Sequence, residues 1–417
     1  MFDRNLISGV LALFGTRVVS LIVPLITIPF LARALHPEEF GKAIAAQSFG
    51  ILLSVLVEYG FNISATREIA VSRENKPRMT ETLQHVYGAK TMLSVVGGLV
   101  FMLVGMNYKV FGGDICYPIF SVLYGIALGC YPIWFFQGID RLPRFSMIEL
   151  TSKIVAGFLI ILLARTFGTG LLVIIIYALS SVVTLVISSL LIMREGFVFS
   201  LKPDLRHTLS ALKLGWQMFI FRASVSLYST VTPLILGTIV NPSAVALYGN
   251  ADKVNRLSLE GFSALTAIVF PRVSRLLQED APAARNAVRK ILDVGILLGL
   301  LIAVVIWFFA PEIIHLILGE KYHSAVPVLR ILALSIPFLV MSNILGLQWM
   351  IANGHDRQFN SIIISASVLN MILIYPVAFY WSLKGAAFLS VTTEIFIVIC
   401  MVSYVSQKSI SLWRRAQ

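Results

Sequence analysis

The chain of 417 residues is 58% hydrophobic and only 13% charged, with a mean hydropathy of +0.86. Soluble domains carry about 45–50% apolar and about 25% charged residues, so this composition excludes disorder, a fibrous repeat and an ordinary cytosolic enzyme. Thirty-three basic against 21 acidic residues leave a formal charge of +12. In a polytopic membrane protein such an excess reports basic loops kept on the cytoplasmic side rather than a nucleic-acid partner.

The predicted fold class is an all-α integral membrane protein, because only a helix of about 20 apolar residues satisfies its own backbone in hydrocarbon. In chain order the apolar runs predict twelve spans. The first six lie at about 6–35, 43–66, 82–106, 115–138, 145–165 and 170–193. The second six lie at about 212–240, 244–270, 289–310, 327–351, 358–381 and 385–406. The first run is too long for a signal peptide and is followed by no small-residue cleavage site. Gaps at 194–211, 271–288 and 311–326 are too short for a folded extramembrane domain. Cys116, Cys130 and Cys400 sit in apolar runs at no metal-ligand spacing and read as small core residues.

With the N-terminus inside, 20 of the 33 Lys and Arg fall in cytoplasmic loops and 7 outside, which predicts a multi-pass protein with both termini cytoplasmic. The other six lie within spans. They are Arg17, Lys90, Lys153, Arg222, Lys253 and Arg256.

The second half repeats the first. At a shift of 205 positions His36-Pro37 falls on Asn241-Pro242, Arg17 on Arg222 and Arg67 on Arg272. At a shift of 216, Gly138-Ile139-Asp140-Arg141 falls on Gly354-His355-Asp356-Arg357. Two pseudo-symmetric six-helix lobes, residues 1–200 and 201–417, follow as the expected domains. Parallel duplication of this kind is a transporter architecture with its substrate site between the halves. The two Gly-x-Asp-Arg turns read either as helix terminations or as gate elements.

A charge within a span costs at least about 2.5–3.5 kcal/mol on insertion scales, so the six cations and Glu58, Glu149, Asp252, Glu260, Asp293 and Glu394 should pair or line a hydrated cavity. Glu149 and Lys153 are spaced i,i+4 and fit a local pair as well as a cavity lining. Asp293 is close enough to its helix end to reach the headgroups. Asp252, Arg256 and Glu260 form an i,i+4,i+8 ladder that leaves Lys253 unmatched. Arg17 and Arg222, at matching repeat positions, lack an opposite charge within four residues. A salt bridge from Glu58 to Arg17 is one reading, and an anionic substrate held by both arginines is the other. Six basic against six acidic groups make the cavity cationic only where carboxylates are neutralised elsewhere.

No HExxH, CxxC, P-loop or GxSxG motif is present, and the six histidines are scattered. The Gly97-Gly98 pair reads as helix packing and Gly112-Gly113 as a turn.

Several short motifs then carry a resemblance. Trp134-Phe135-Phe136-Gln137-Gly138 resembles the W-[FY]-[FY]-Q-G signature of bacterial polysaccharide flippases. Thr66-Arg67-Glu68-Ile69-Ala70, Ala251-Asp252-Lys253, Phe270-Pro271-Arg272-Val273-Ser274, Leu318-Gly319-Glu320-Lys321-Tyr322 and Ala352-Asn353-Gly354 are similar to the same family in order and spacing. The chain thus resembles an O-antigen or exopolysaccharide repeat-unit flippase of the multidrug/oligosaccharidyl-lipid/polysaccharide exporter superfamily.

The resemblance implies a V-shaped pair of lobes and an undecaprenyl-diphosphate-linked oligosaccharide, carried from the inner to the outer face of the bacterial inner membrane. It implies no enzymatic activity and no cofactor, with coupling to H⁺ or Na⁺ and Glu58, Asp252 and Glu260 as candidate ion sites. A polysaccharide polymerase and a chain-length regulator are the expected protein partners, beside membrane lipids. By their chemistry Arg17, Lys90, Lys153, Arg222, Lys253 and Arg256 fit as ligands of the diphosphate, whose charge must replace its water with guanidinium and ammonium groups. A drug or cation antiporter of the same superfamily, a membrane-embedded polymerase and a channel are the competing readings. The unpaired arginines, the short external loops and the lack of a filter pattern argue against them in turn.

Overall fold

The computed structural model describes residues 23–197, 205–407 and Leu412, apart from some side chains within the helices, Glu260 and 270–272 among them. By contacts the chain divides into two compact units, Met1–Ala246 and Leu247–Gln417. The boundary expected between residues 200 and 201, like the first twenty-two residues, lies outside the described residues.

The first unit begins with α1 (Val23–Ala34). It continues through α2 (Pro37–Glu58), α3 (Phe61–Val71), α4 (Lys76–Met106), α5 (Cys116–Gly129) and α6 (Ile133–Gly138). Helices α7 (Leu142–Phe167), α8 (Gly170–Arg194) and α9 (Leu205–Ile239) follow, and α10 (Pro242–Glu279) opens in this unit and runs on into the second. The second unit continues with α11 (Ala281–Phe308), α12 (Ala310–Ile317), α13 (Val326–Ala333), α14 (Ile336–Asn343), a π-helical stretch (Ile344–Ile351) and α15 (Asp356–Gln407).

Seven helices among the described residues are long and apolar enough to cross a membrane, or nine when two bent pairs each count as one. Three features account for the difference from the twelve expected spans. The first span falls largely outside the described residues. The eighth is a continuous helix, α10, made too polar by Asn250, Asp252, Lys253, Asn255 and Arg256. The last two are merged in α15, whose 52 residues would extend about 78 Å at 1.5 Å per residue, more than twice a bilayer core. The helix breaks at Ser382, where φ is 51° and ψ −139°. Large apolar side chains such as Leu99, Leu103, Phe158, Leu162, Leu297 and Leu301 are exposed along these helices, as lipid contact requires.

In the first unit the W-[FY]-[FY]-Q-G signature is a packing element. Trp134, Phe135 and Phe136 are fully buried in a cluster with Phe61, Ile69, Leu83, Tyr87 and Phe145. Gly138 lets α6 lie against α3, since a Cβ there would sit 2.6 Å from the Ile69 side chain. His36-Pro37 and Asn241-Pro242, matched by the repeat, open α2 and α10 with proline at the first helical position. The two openings also touch: a Cβ on Gly41 would lie 1.8 Å from the Pro242 carbonyl oxygen. Gly112 and Gly113 form the expected turn, both at positive φ, and Gly97 packs on Leu53 and Leu56.

At the end of this unit where α6 meets α7, the Gly-x-Asp-Arg turn is held from three sides. Arg73 Nε donates to the Gly138 carbonyl at 2.6 Å, and the same guanidinium pairs with Asp140. Asp140 adopts a left-handed backbone (φ 56°), a conformation aspartate tolerates, and Arg73 holds its carboxyl below the usual carboxylate range. Glu195 takes Arg141 and Arg144 on its carboxylate and Lys76 Nζ on its backbone oxygen.

Candidate functional site

The sequence-predicted charges separate into three environments. The first lies where the α2–α3 span breaks. Tyr59 and Gly60 both adopt left-handed φ, 49° and 77°, so α2 ends at Glu58 and α3 resumes at Phe61. Helix α9 crosses this break closely. The Tyr59 ring stacks on Phe219 at 4.4 Å, and a Cβ on Gly215 would lie 2.7 Å from the Tyr59 carbonyl oxygen. The crossing brings Arg222 to Glu58, Nη2 to Oε2, at 2.9 Å. The Glu58 side chain is 8% exposed and that of Arg222 is 42% exposed. Glu58 Oε1 is buried without a hydrogen-bond partner among the described residues.

The carboxylate that one of the two readings set against Arg17 meets Arg222, a partner 164 positions away. Arg17 lies outside the described residues.

Lys90, an expected ligand of the diphosphate, lies inside the first unit. It is wholly buried on α4, and its ammonium donates to the carbonyls of Gly129 at 2.7 Å and Tyr131 at 3.3 Å. Those oxygens belong to the break between α5 and α6, where Pro132 interrupts the chain and helix-end carbonyls lack amide partners. The lysine stands in for the missing donors. Lys153 is in the local pair the spacing allowed, 2.7 Å from Glu149.

The second unit arranges its charges along one helix. Arg256 Nε donates to Asp252 Oδ2 at 2.8 Å, one turn apart on α10, and Tyr248, one turn earlier, hydrogen-bonds Ser390 of α15 at 2.7 Å. Glu394 lies one turn beyond Ser390, buried, and feels the charges of Arg256 and Asp252. Lys253 has neither ion pair nor hydrogen bond among the described residues. The Glu260 side chain lies outside them. Asn250 is fully buried with both amide atoms unpaired among the described residues, while Asn255 reaches Ser335 at 3.2 Å and Asn370 reaches Thr393 at 2.8 Å. No group of three or more His, Cys, Asp or Glu among the described residues could hold a metal ion.

Sequence reasoning missed a cavity of about 740 Å³ in the first unit, between α3, α4 and α9. Its signal was in the sequence. Ser64, Arg67, Glu68 and Val71 fall at i, i+3, i+4 and i+7, and so do Arg78, Glu81, Thr82 and His85. Both sets are one face of a helix, and both faces line this cavity.

These features define a polytopic helical membrane protein with half-open cations paired to carboxylates inside its helices. Residues 6–277 match the family described as "Polysaccharide biosynthesis protein", and residues 218–376 match the MatE family. The chain belongs to the polysaccharide biosynthesis protein family. It is 28% identical to an Escherichia coli (strain K12) protein described as "Putative O-antigen transporter", over 92% of each chain. It is 24% identical to a Shigella dysenteriae protein of the same description, over 95% of this chain and 99% of the other. Among solved structures the fold resembles the lipid II flippase MurJ in an inward closed conformation. That match has a TM-score of 0.71 at 14% identity, over 96% of this chain and 87% of that one. It also resembles an inward-facing MATE family transporter of the MOP superfamily, with a TM-score of 0.65 at 15% identity over 93% and 96%.

Proposed function

We propose that the protein flips lipid-linked oligosaccharides, carrying an undecaprenyl-diphosphate-linked O-antigen or exopolysaccharide repeat unit from the cytoplasmic to the outer leaflet of a bacterial inner membrane. The observation that carries this reading is the full-length likeness to curated proteins named as O-antigen transporters. The chemistry of the site supports it. A diphosphate cannot cross hydrocarbon with its charge bare, and Arg222 offers an accessible guanidinium beside a helix break inside a span. Arg17, its repeat counterpart, is the second proposed ligand, with Arg256, Lys253 and Lys153 as further cations.

Both termini are cytoplasmic in this reading, as the division of Lys and Arg among the loops requires. Movement proceeds by alternating access coupled to H⁺ or Na⁺, with Glu58, Asp252 and Glu260 as the coupling carboxylates. Glu58 fits such a role because one of its oxygens is buried and has no hydrogen-bond partner among the described residues. A polymerase and a chain-length regulator of the surface polysaccharide are the proposed partners.

The match of residues 218–376 to MatE favours a second reading, a drug or cation antiporter. Flipping of radiolabelled lipid-linked oligosaccharide in everted membrane vesicles, with and without a pH gradient, separates the two. Flipping that Arg222→Ala abolishes supports the flippase. Full surface-polysaccharide display in a flippase-null strain carrying Arg222→Ala removes the arginine from the mechanism.

A further inference from the structure

The cavity between α3, α4 and α9 is built for a ligand unlike a diphosphate. Its charged lining is balanced: Arg67 and Arg78 face Glu68 and Glu81. Arg78 Nη2 already pairs with Glu68 Oε1 at 2.8 Å. A site for a free phosphate or an anionic lipid headgroup would carry a surplus of cations, and a site for a cationic drug a surplus of carboxylates.

What the lining does offer is alternation. Guanidinium donors, carboxylate acceptors, the hydroxyls of Ser64 and Thr82 and the imidazole of His85 stand against an apolar wall of Phe61, Val86 and Met218. A hexose presents the complementary surface. Each hydroxyl is both donor and acceptor, and the ring carbons give an apolar face. The volume of about 740 Å³ lies within the range of about 300–1,000 Å³ common to small-molecule sites.

Position completes the argument. Met218 of the cavity wall precedes Arg222 by four residues on α9, about 6 Å along the helix, and Phe61 of the wall follows Glu58 by three. The cavity therefore ends about one helical turn from the Glu58–Arg222 pair. A ligand with an anionic head and a neutral, hydroxylated extension matches that sequence of surfaces in order.

We propose that this cavity is a glycan vestibule, which receives the sugars of the lipid-linked oligosaccharide while Arg222 takes the diphosphate. The assignment rests on the flippase reading and deepens it: the charged pair recognises the carrier lipid and the vestibule recognises the repeat unit. Glycan selectivity then belongs to Glu81, Thr82 and Arg67 rather than to the cations within the spans.

The test reconstitutes the full chain in proteoliposomes with two probes. One is undecaprenyl-diphosphate bearing a single N-acetylglucosamine, and the other is the same lipid extended by two neutral hexoses. The readout is the ratio of the two flipping rates. Glu81→Gln or Thr82→Leu should lower the ratio of three-sugar to one-sugar flipping about tenfold, the scale of one lost charge-assisted hydrogen bond. The exposed Arg67→Gln serves as a third variant should either fail to elute as a folded protein. In Thr82→Cys, alkylation by a membrane-impermeant maleimide should be slowed by the three-sugar lipid and not by the one-sugar lipid. A ratio that stays at the wild-type value in every folded variant, or equal protection by both lipids, overturns the vestibule and leaves the flippase intact. A wild-type protein that moves neither lipid takes down the flippase reading and the vestibule with it.

Discussion

Lys90 on α4 and Lys253 on α10 both interrupt membrane-length or near-membrane-length helices, and the fold treats them in opposite ways. Lys90 is sealed in the first unit and saturated by two carbonyls of a broken helix. Lys253 is part-exposed in the second unit without an ion pair or hydrogen bond among the described residues. The same contrast runs through the carboxylates. Glu58 is matched by a cation from another helix, Asp252 by a cation one turn along its own. At these residues the first unit neutralises charge through tertiary structure and the second through local sequence, while Glu149–Lys153 shows the local solution in the first unit as well. Their sensitivities to mutation should differ accordingly.

The largest effect should follow Arg222→Gln. Removing one partner of a fully buried ion pair costs about 3–5 kcal/mol; the half-exposed arginine should bring this pair to the lower end of that range, with the buried carboxylate as the survivor. Glu58→Gln should be milder, since the half-exposed guanidinium can turn to water, and the double variant should recover part of the loss. Thermal unfolding of the purified protein measures all three. Equal effects for the two single variants would place the burden on contact alone and erase the asymmetry.

Next comes Lys90→Met, which leaves two helix-end carbonyls without donors at about 1–3 kcal/mol. Lys253→Met in the second unit should stay within about 0.5 kcal/mol of wild type. Comparable melting shifts for the two lysine variants would break the contrast outright. Smaller again, Asp252→Asn should cost about 0.3–0.5 kcal/mol, as a half-exposed i,i+4 pair does.

The last effect depends on pH. The Asp140 carboxyl titrates below its ordinary value because Arg73 holds the anion. Its contribution is complete above the unfolded value, about pH 4, and fades as pH falls through the lower folded value. Asp140→Asn should therefore be less stable than wild type at neutral pH, by less than about 1 kcal/mol for so exposed a pair. The two should converge in acid. A gap that persists well below pH 4 would point to the left-handed turn rather than to the charge.

Much of the fold was legible residue by residue. The apolar runs located α4, α7, α8 and α11, the motif at 134–138 marked a buried core segment, and the break at Ser382 falls in the gap between the last two expected spans. Span counting was less secure at α10, because Asn250, Asp252, Lys253, Asn255 and Arg256 lower its hydropathy without ending the helix. The site was legible only in part. The Glu149–Lys153 and Asp252–Arg256 pairs followed from i,i+4 spacing. The Glu58–Arg222 pair did not, because sequence distance carries no information about which helix crosses a break. The surroundings of Lys90 were hidden for a similar reason: its partners are backbone oxygens beside a proline 42 residues later, which no tally of side-chain charges can reveal.

The sequence by itself determined that this is a helical membrane protein with a short roster of charges in its apolar helices. Hydropathy and helical spacing are local properties, and the chain carries them before it folds. Tertiary structure alone decided what each charge faces. Helix α9 crosses at Tyr59–Gly60, the chain breaks at Cys130–Pro132, and two polar faces converge on one cavity. Those encounters assign one cation to a carboxylate, seal another under carbonyls and leave a third open. Burial and partnership depend on which backbones meet, and that is settled only when the helices pack.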